Sequence, residues 1–96
     1  MPESISITLS YAGQLAAEAR VSEERLEIPE GTLVSQILRR VADAHGGKFH
    51  EMLFDEHTQL RRALVISIDG TQLPDPAQHP CEKPCELFIM TPIAGG

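Results

Sequence analysis

The chain has 96 residues and a hydrophobic content of 42%, which is enough for one domain with a modest core. Its formal net charge of −6 argues against nucleic acids and anionic membranes as partners. The longest apolar stretch is only a few residues, so we expect no membrane span and no signal peptide, and we expect a cytoplasmic protein.

Alternating apolar residues predict two strands in the first third of the chain. The first strand carries three apolar residues between serines and threonine, namely Ile5, Ile7 and Leu9. The second strand covers Arg25 to Ile28 and is stopped by Pro29-Glu30-Gly31. The Ala-rich segment from Tyr11 to Arg20 is predicted to be a loop or a short helix. The two strands are therefore expected to pair as a hairpin.

The clearest helix begins at Thr32, whose hydroxyl is expected to cap the first turn. An apolar stripe at helical spacing follows it, consisting of Leu33, Ile37, Leu38, Val41, Ala42 and Ala44. Gly46-Gly47 predicts a helix end with a left-handed cap. A short amphipathic segment comes next, with Phe49, Leu53 and Phe54 as its expected anchors.

Three further strands are predicted in the second half, around Leu64–Ile68, Thr71–Leu73 and Glu86–Thr91. Asp69-Gly70 is a strong signal for a turn between the first two. A proline-rich stretch before the last strand is expected to be irregular. The predicted order is ββαββ with an extra short helix, which indicates an α+β fold with one mixed sheet and one helix packed across it.

The chain ends in Ile93-Ala94-Gly95-Gly96. Glycine makes up only about 7% of average sequences, so two in a row at a terminus are unusual. Without a Cβ atom, such a backbone fits an extended channel too narrow for side chains, and the channel would receive the α-carboxylate of Gly96. The alternatives are a frayed end or a remnant of cloning.

This element order, with a last strand that runs into Gly-Gly, resembles the ubiquitin-like β-grasp fold. The tail Ile89–Gly96 resembles the MoaD/ThiS family of bacterial sulfur carriers. The segments Glu51–Phe54 and Arg62–Gly70 are similar to carriers of the cysteine-biosynthetic type and to molybdopterin-synthase small subunits. The resemblance implies a β-grasp domain over residues 1–91, with a mixed sheet of four to five strands, and a flexible tail over residues 92–96.

The resemblance also implies a chemistry for the tail. A separate E1-like adenylating enzyme would use ATP to activate the Gly96 carboxylate. Sulfide or a sulfur donor protein would then displace AMP and leave a thiocarboxylate, which passes its sulfur to an accepting synthase in cofactor or metabolite biosynthesis. Gly95, Ala94, Ile93 and Pro92 would be recognised together with Gly96. The chain itself would be a carrier rather than an enzyme, with no bound cofactor or metal.

The last strand also predicts a docking surface. If Leu87 and Ile89 face the core, alternation places Phe88 and Met90 on the opposite face of the sheet. An exposed aromatic residue and a methionine indicate an apolar docking patch beside the tail. The alternative is that the Tyr11 loop or the Phe49–Phe54 segment covers them as a second small core.

Cys81 and Cys85 are separated by three residues and have His79 nearby. Zinc sites usually space their cysteines more closely and need a fourth ligand, so free loop thiols are expected rather than a metal or redox site.

The remaining ionisable residues do not form a recognisable site. The spacing of His45, His50 and His57 does not suit metal binding, so solvated histidines are expected. Glu23, Glu24 and Glu27 are expected on the exposed side of the second strand. We find no phosphate loop, nucleophile–base pair or dinucleotide motif in the sequence.

Other functions remain open at this point. The chain would also suit the small subunit of a molybdopterin-synthase-like complex, or a ubiquitin-like modifier that is conjugated to a target lysine through Gly96. A simple interaction module with an accidental Gly-Gly end would show no ATP-dependent chemistry at the tail. The sulfur acceptor and the oligomeric state are likewise open.

Overall fold

The structure is a computed structural model that describes residues 3–91. The strands of this part of the chain are β1 (Ser4–Tyr11), β2 (Glu23–Pro29), β3 (Thr32–Leu33), β4 (Val65–Ile68), β5 (Thr71–Gln72), β6 (Pro80–Cys81) and β7 (Cys85–Met90). The helices are α1 (Gln14–Ala19), α2 (Val34–His45) and α3 (Gly47–Leu53), and a 3₁₀ turn spans Pro76–Gln78. Within residues 3–91, no helix combines the length and apolar character needed to cross a membrane.

Five strands form the main sheet in the order β2-β1-β7-β4-β5, and β3 pairs with β6 in a separate two-stranded sheet. β1 and β2 form an antiparallel hairpin, while β1 and β7 run parallel to each other. β4 is antiparallel to both β7 and β5. The predicted mixed sheet is confirmed, and the last strand lies at its centre.

The core lies between one face of this sheet and the helices. β1 buries every second residue from Ile5 to Tyr11, which is the pattern expected of a strand with one covered face. Four residues of the predicted stripe of α2 are buried in the same cluster together with Val34, namely Ile37, Leu38, Val41 and Ala42. The other two stripe positions were wrong, because Leu33 belongs to β3 and Ala44 is exposed. The predicted anchors of the short segment after α2 are also buried, at Phe49, Leu53 and Phe54.

The start of α2 differs from the prediction. Thr32 belongs to β3, and its hydroxyl donates a hydrogen bond to the Pro29 carbonyl at 2.6 Å instead of capping the helix. The helix begins at Val34, and the Gln36 side chain accepts a hydrogen bond from the Leu33 amide at 2.9 Å. The predicted cap was wrong because Thr32 pairs with Cys81 across a short sheet that the local sequence does not reveal.

The junction between α2 and α3 confirms the helix end predicted at Gly46-Gly47. Gly46 has φ 66° and ψ −164°, so its φ is positive as predicted, but its ψ is extended rather than left-handed helical. α3 starts at once, at Gly47, which also has a positive φ. The two glycines therefore turn the chain sharply enough to pack a second helix beside α2.

Candidate functional site: the open face beside the last strand

β7 occupies the centre of the sheet and leads toward the C-terminus. It pairs with β1 on one side and with β4 on the other. The Ala12 amide also donates to the Ile89 carbonyl at 3.2 Å, so β7 is held up to its last residues. Pro92, Ile93, Ala94, Gly95 and Gly96 lie outside the described residues, and their roles stay predictions.

The side chains of β7 alternate between the two faces of the sheet. Leu87 and Ile89 are fully buried beneath the helices. Phe88 and Met90 are 38% and 36% exposed, which places them on the face that the helices leave open. Phe49 and Phe54 belong to the core on the other face, so the alternative that their segment covers Phe88 and Met90 is wrong.

Neighbouring strands extend this apolar surface. Val65 lies opposite Met90 in the antiparallel β4–β7 pair and is half-buried. Phe88 is flanked by Ser67 on β4 and by Ser10 on β1, whose side chains are small. We call Val65, Phe88 and Met90 the open-face patch. It lies beside the last residues of β7, where the chain leaves the sheet.

The opposite end of the open face is charged and polar. Glu86 accepts a hydrogen bond from the Ser10 hydroxyl at 2.9 Å. Arg25 lies opposite Thr8, which is also the partner of Glu86 in the β1–β7 pair. The open face therefore changes from charged to apolar along β7. Its apolar end lies at the C-terminal end of this strand.

The covered face holds a polar cluster that the sequence did not predict. The Tyr11 hydroxyl donates to the Glu24 carboxylate at 2.5 Å, and the His45 Nε2 atom lies 2.7 Å from the same oxygen. The Tyr11 ring also meets Phe49 edge-on, with ring centroids 5.2 Å apart. Burial, together with the neighbouring Glu24 carboxylate, raises the pKa of the Tyr11 hydroxyl.

Two predictions for this region were therefore wrong. Glu24 lies on the covered side of β2, because it shares the period-two alternation of Leu26 and Ile28. His45 is not simply solvated, because it pairs with Glu24 and packs against Phe49 at a centroid distance of 4.7 Å. The spacing of Glu24 from Leu26 and Ile28 does place it on the covered face. A carboxylate is stable on that face only when other elements supply hydrogen-bond partners, and the local sequence does not show these partners.

Two more histidines, His50 and His57, lie nearer the surface. His50 is 3.6 Å from Asp43, and His57 is 3.9 Å from Glu56, with both carboxylates well exposed. Over residues 3–91, no three His, Cys, Asp or Glu side chains are grouped in a way that would hold a metal ion.

Cys81 and Cys85 are both free thiols, as predicted. They lie on strands rather than in a loop: Cys81 is buried on β6, and the half-buried Cys85 begins β7.

Comparison with solved structures identifies the architecture. SAMP1 from Haloferax volcanii aligns over 95% of this chain and 99% of its own, with a TM-score of 0.80 and 20% identity. A putative molybdopterin converting factor, subunit 1, from Pyrococcus furiosus aligns over 94% and 100%, with a TM-score of 0.72 and 22% identity. Urm1 from Trypanosoma brucei aligns over 100% of both chains, with a TM-score of 0.79 and 15% identity. The chain has the ubiquitin-like β-grasp fold.

The predicted resemblance to MoaD/ThiS-type proteins is thus confirmed at the level of the fold. No family model and no curated protein matches the sequence. In this β-grasp domain, β7 is the central strand, and the open-face patch lies at its C-terminal end.

Proposed function

We propose that this β-grasp protein is a sulfur carrier whose C-terminal Gly96 is activated and converted to a thiocarboxylate. The main support is the exposure of Phe88 and Met90 on the strand that leads to Gly95-Gly96. A partner that docks on this patch would have the C-terminal carboxylate within reach. The fold neighbours are small proteins of similar length, which suits a carrier better than a self-contained enzyme.

The proposed reaction has two steps. In the first, a carboxylate oxygen of Gly96 attacks the α-phosphate of ATP on an E1-like adenylating enzyme, which releases pyrophosphate and leaves an acyl-adenylate. In the second, sulfide or a persulfide on a donor protein attacks the acyl carbon, and AMP leaves. With a persulfide donor, the product is an acyl disulfide. A second thiol then attacks its donor sulfur, the S–S bond breaks, a new disulfide forms on the donor and the thiocarboxylate is released for an accepting synthase.

The carrier needs no catalytic side chain of its own in this scheme. Adenylation replaces a poor leaving group with AMP, and the adenylating enzyme holds the ATP, so the carrier binds no cofactor. The role of the carrier is to present its C-terminus to the adenylating enzyme. The open-face patch supplies apolar contact area, and the two terminal glycines supply a backbone without side chains that fits a narrow channel. We place this ATP-dependent reaction in the cytoplasm, where the thiols of Cys81 and Cys85 would also stay reduced.

A second candidate is protein modification. The H. volcanii neighbour is named small archaeal modifier protein 1, which favours conjugation of Gly96 to a target lysine through the same acyl-adenylate. The name of the P. furiosus neighbour favours the role of a small subunit in a molybdopterin-synthase-like complex. Both the modifier and the small-subunit alternatives begin with activation of Gly96. They differ in the acceptor, which is a lysine that takes the acyl group in the first case and a substrate that takes sulfur in the second.

Pyrophosphate exchange tests the first step. The chain is incubated with a cognate adenylating enzyme, ATP and labelled pyrophosphate, and the label that returns to ATP is measured. We expect exchange that depends on the chain and is lost on deletion of Gly96. Exchange that persists without Gly96 would overturn the proposal.

Mass spectrometry of cell extract separates the carrier from the modifier. Lys48 and Lys83 are the only lysines of the chain, so a Lys48→Arg, Lys83→Arg variant removes conjugation between copies while leaving Gly96 intact. Covalent adducts of this variant on other proteins would favour the modifier. A terminal thiocarboxylate without such adducts would favour the carrier.

A further inference from the structure

One edge of the five-stranded sheet is long and has an open outer side. β2 forms this edge, whereas β5 at the opposite edge is only two residues long. Within residues 3–91, β1 is the only strand that pairs with β2, and it does so in one register over Glu23–Pro29. The outer side of β2 therefore has room for a further strand.

Hydrogen bonds at the two ends of β2 show which of its backbone groups point outward. The Tyr11 amide donates to the Ser22 carbonyl at 2.9 Å, and the Glu30 amide donates to the Glu3 carbonyl at 2.7 Å. Because backbone groups alternate in direction along a strand, the even-numbered residues of β2 face β1 as Ser22 and Glu30 do. The N–H and C=O groups that point away from the sheet belong to Glu23, Arg25 and Glu27.

One of these outward groups already has a partner. Arg40 of α2 donates to the Glu27 carbonyl at 3.0 Å, which agrees with a carbonyl directed away from β1. A carbonyl oxygen has two lone pairs, so it can accept a second hydrogen bond from an added strand.

The side chains of β2 differ between the two faces of the sheet. Arg25 and Glu27 are exposed on the open face, where they lie opposite Thr8 and Ser6. Leu26 lies on the covered face opposite Ile7, and it is only half-buried although it packs against the core. The edge thus carries both signs of charge on one face and an incompletely covered leucine on the other.

Charge limits how two copies of β2 can pair in antiparallel fashion across a two-fold axis. A pairing centred on Glu23, Arg25 or Glu27 would place that residue opposite its own copy, with like charges in contact. A pairing centred on Glu24 would place Arg25 opposite Glu23, but the two Glu24 carboxylates would also meet. A pairing centred on Leu26 places Arg25 opposite Glu27 and brings two leucines together. Charge complementarity therefore selects the pairing centred on Leu26.

We propose that a second copy of this chain binds to the outer side of β2 across a two-fold axis at Leu26, so that two five-stranded sheets become one continuous sheet. This inference does not depend on the proposed function. Arg25 of each copy lies opposite Glu27 of the other, and the two residues exchange both of their backbone hydrogen bonds. On the covered face, the two Leu26 side chains meet in a non-hydrogen-bonded pair, where side chains approach most closely.

This association should be weak and should leave the open-face patch accessible. A strand of seven residues is only about 23 Å long, a small contact compared with the roughly 1,600 Å² that a standard interface buries. β1 separates β2 from β7, so the second copy extends the sheet sideways without covering Phe88 or Met90.

Sedimentation equilibrium of the full chain under reducing conditions tests the proposal. We expect a monomer–dimer equilibrium that shifts toward the dimer as the concentration rises to about 1 mM. As the dimer forms, hydrogen exchange of the Arg25 and Glu27 amides should slow, because these outward amides gain acceptors.

Charge reversals at the two paired positions test the register. Arg25→Glu places two carboxylates opposite each other at both symmetry-related pairs, and Glu27→Arg places two guanidinium groups there. Each variant should raise the dimer Kd about tenfold or more. A mixture of the two variants should associate again, because each chain offers the charges that the other lacks. The double variant Arg25→Glu, Glu27→Arg should likewise pair with itself, and either recovery would show that the variants are folded.

Arg62→Glu is the matched control for Arg25→Glu. It makes the same change of net charge at an exposed position between α3 and β4, so the dimer Kd should stay unchanged. A wild-type chain that remains monomeric at the highest concentration would overturn the proposal. A dimer that survives both charge reversals but is lost in Phe88→Ser, Met90→Ser would also overturn it, because that dimer would use the open-face patch.

Discussion

At the scale of single residues, the Glu24 carboxylate shows that a charged group can lie on the covered face of the sheet when it has hydrogen-bond partners there. It lies on the covered side of β2, where it receives the Tyr11 hydroxyl and contacts the His45 ring. Tyr11 is only 4% exposed, so its hydroxyl has little access to water if Glu24 is removed. The three residues thereby connect β1, β2 and the end of α2.

Glu24→Ala should lower the free energy of unfolding by about 1–3 kcal/mol, because it leaves a buried hydroxyl without its acceptor. Glu27→Ala is the matched control, since Glu27 is an exposed glutamate of the same strand, and it should cost no more than about 0.5 kcal/mol. Urea denaturation of both variants checks this. Equal stability of the two variants would show that the cluster contributes nothing.

Tyr11 also predicts a loss of stability at alkaline pH. Its folded pKa lies above the ordinary 10.0, so its stabilising effect is complete below pH 10 and is lost as pH rises further. Above pH 10, the unfolded chain releases the phenolic proton while the folded chain keeps it. The free energy of unfolding therefore falls by about 1.4 kcal/mol per pH unit. Cys81 gives a slope of the same sign from pH 9.0. Tyr11→Phe should remove only the Tyr11 part, and an unchanged slope in that variant would contradict the assignment.

At the scale of elements, the junction between α2 and α3 contains two glycines with positive φ, Gly46 and Gly47. Gly46 combines φ 66° with ψ −164°, a conformation that residues with a Cβ atom rarely adopt. A Cβ atom at this position would meet no other atom within 4 Å, so the cost of substitution would be backbone strain alone.

Gly46→Ala should therefore lower the free energy of unfolding by about 1–3 kcal/mol. Ala44→Ser, at an exposed position of the same helix, should change it by no more than about 0.5 kcal/mol. Thermal unfolding followed by circular dichroism compares the two. If Gly46→Ala were as stable as Ala44→Ser, the α2–α3 junction would not require its positive φ.

Elements with strong periodicity were predictable, and those made by distant pairing were not. β1, β2 and α2 each bury a regular apolar pattern, so their local sequence carries the signal. β3 and β6 are two residues long and exist because Thr32 and Cys81 meet across the fold. No local pattern marks such a pair, and for the same reason the capping role expected of Thr32 was wrong.

At the scale of the whole molecule, the sheet has one face covered by helices and one face open. Alternation along β7 correctly placed Phe88 and Met90 on the open face, because Leu87 and Ile89 are buried in the core on the other face. The burial of Cys81 was not predictable, since Cys81 lies on β6, which forms only by pairing with β3. Strand faces follow from local sequence, whereas pairing between distant segments follows from topology.

If the adenylating enzyme docks on the open-face patch, polar substitutions in the patch should weaken its binding to the carrier. Phe88→Ser with Met90→Ser should raise the KM for the carrier on the adenylating enzyme about tenfold or more, as expected on loss of interface anchors. The fold should persist, because both side chains are substantially exposed. Val21→Ser is the control, since Val21 is 41% exposed but lies outside the sheet, and it should leave KM unchanged. Equal KM values for all three proteins would remove the docking role.

The central claim concerns the Gly96 carboxylate, and intact mass tests it most directly. The chain is incubated with ATP, a cognate adenylating enzyme and sulfide, and its mass is compared before and after. The proposal predicts a gain equal to the exchange of one oxygen for one sulfur, localised by fragmentation to the C-terminal residue. An unchanged mass in the presence of a demonstrably active enzyme would contradict it.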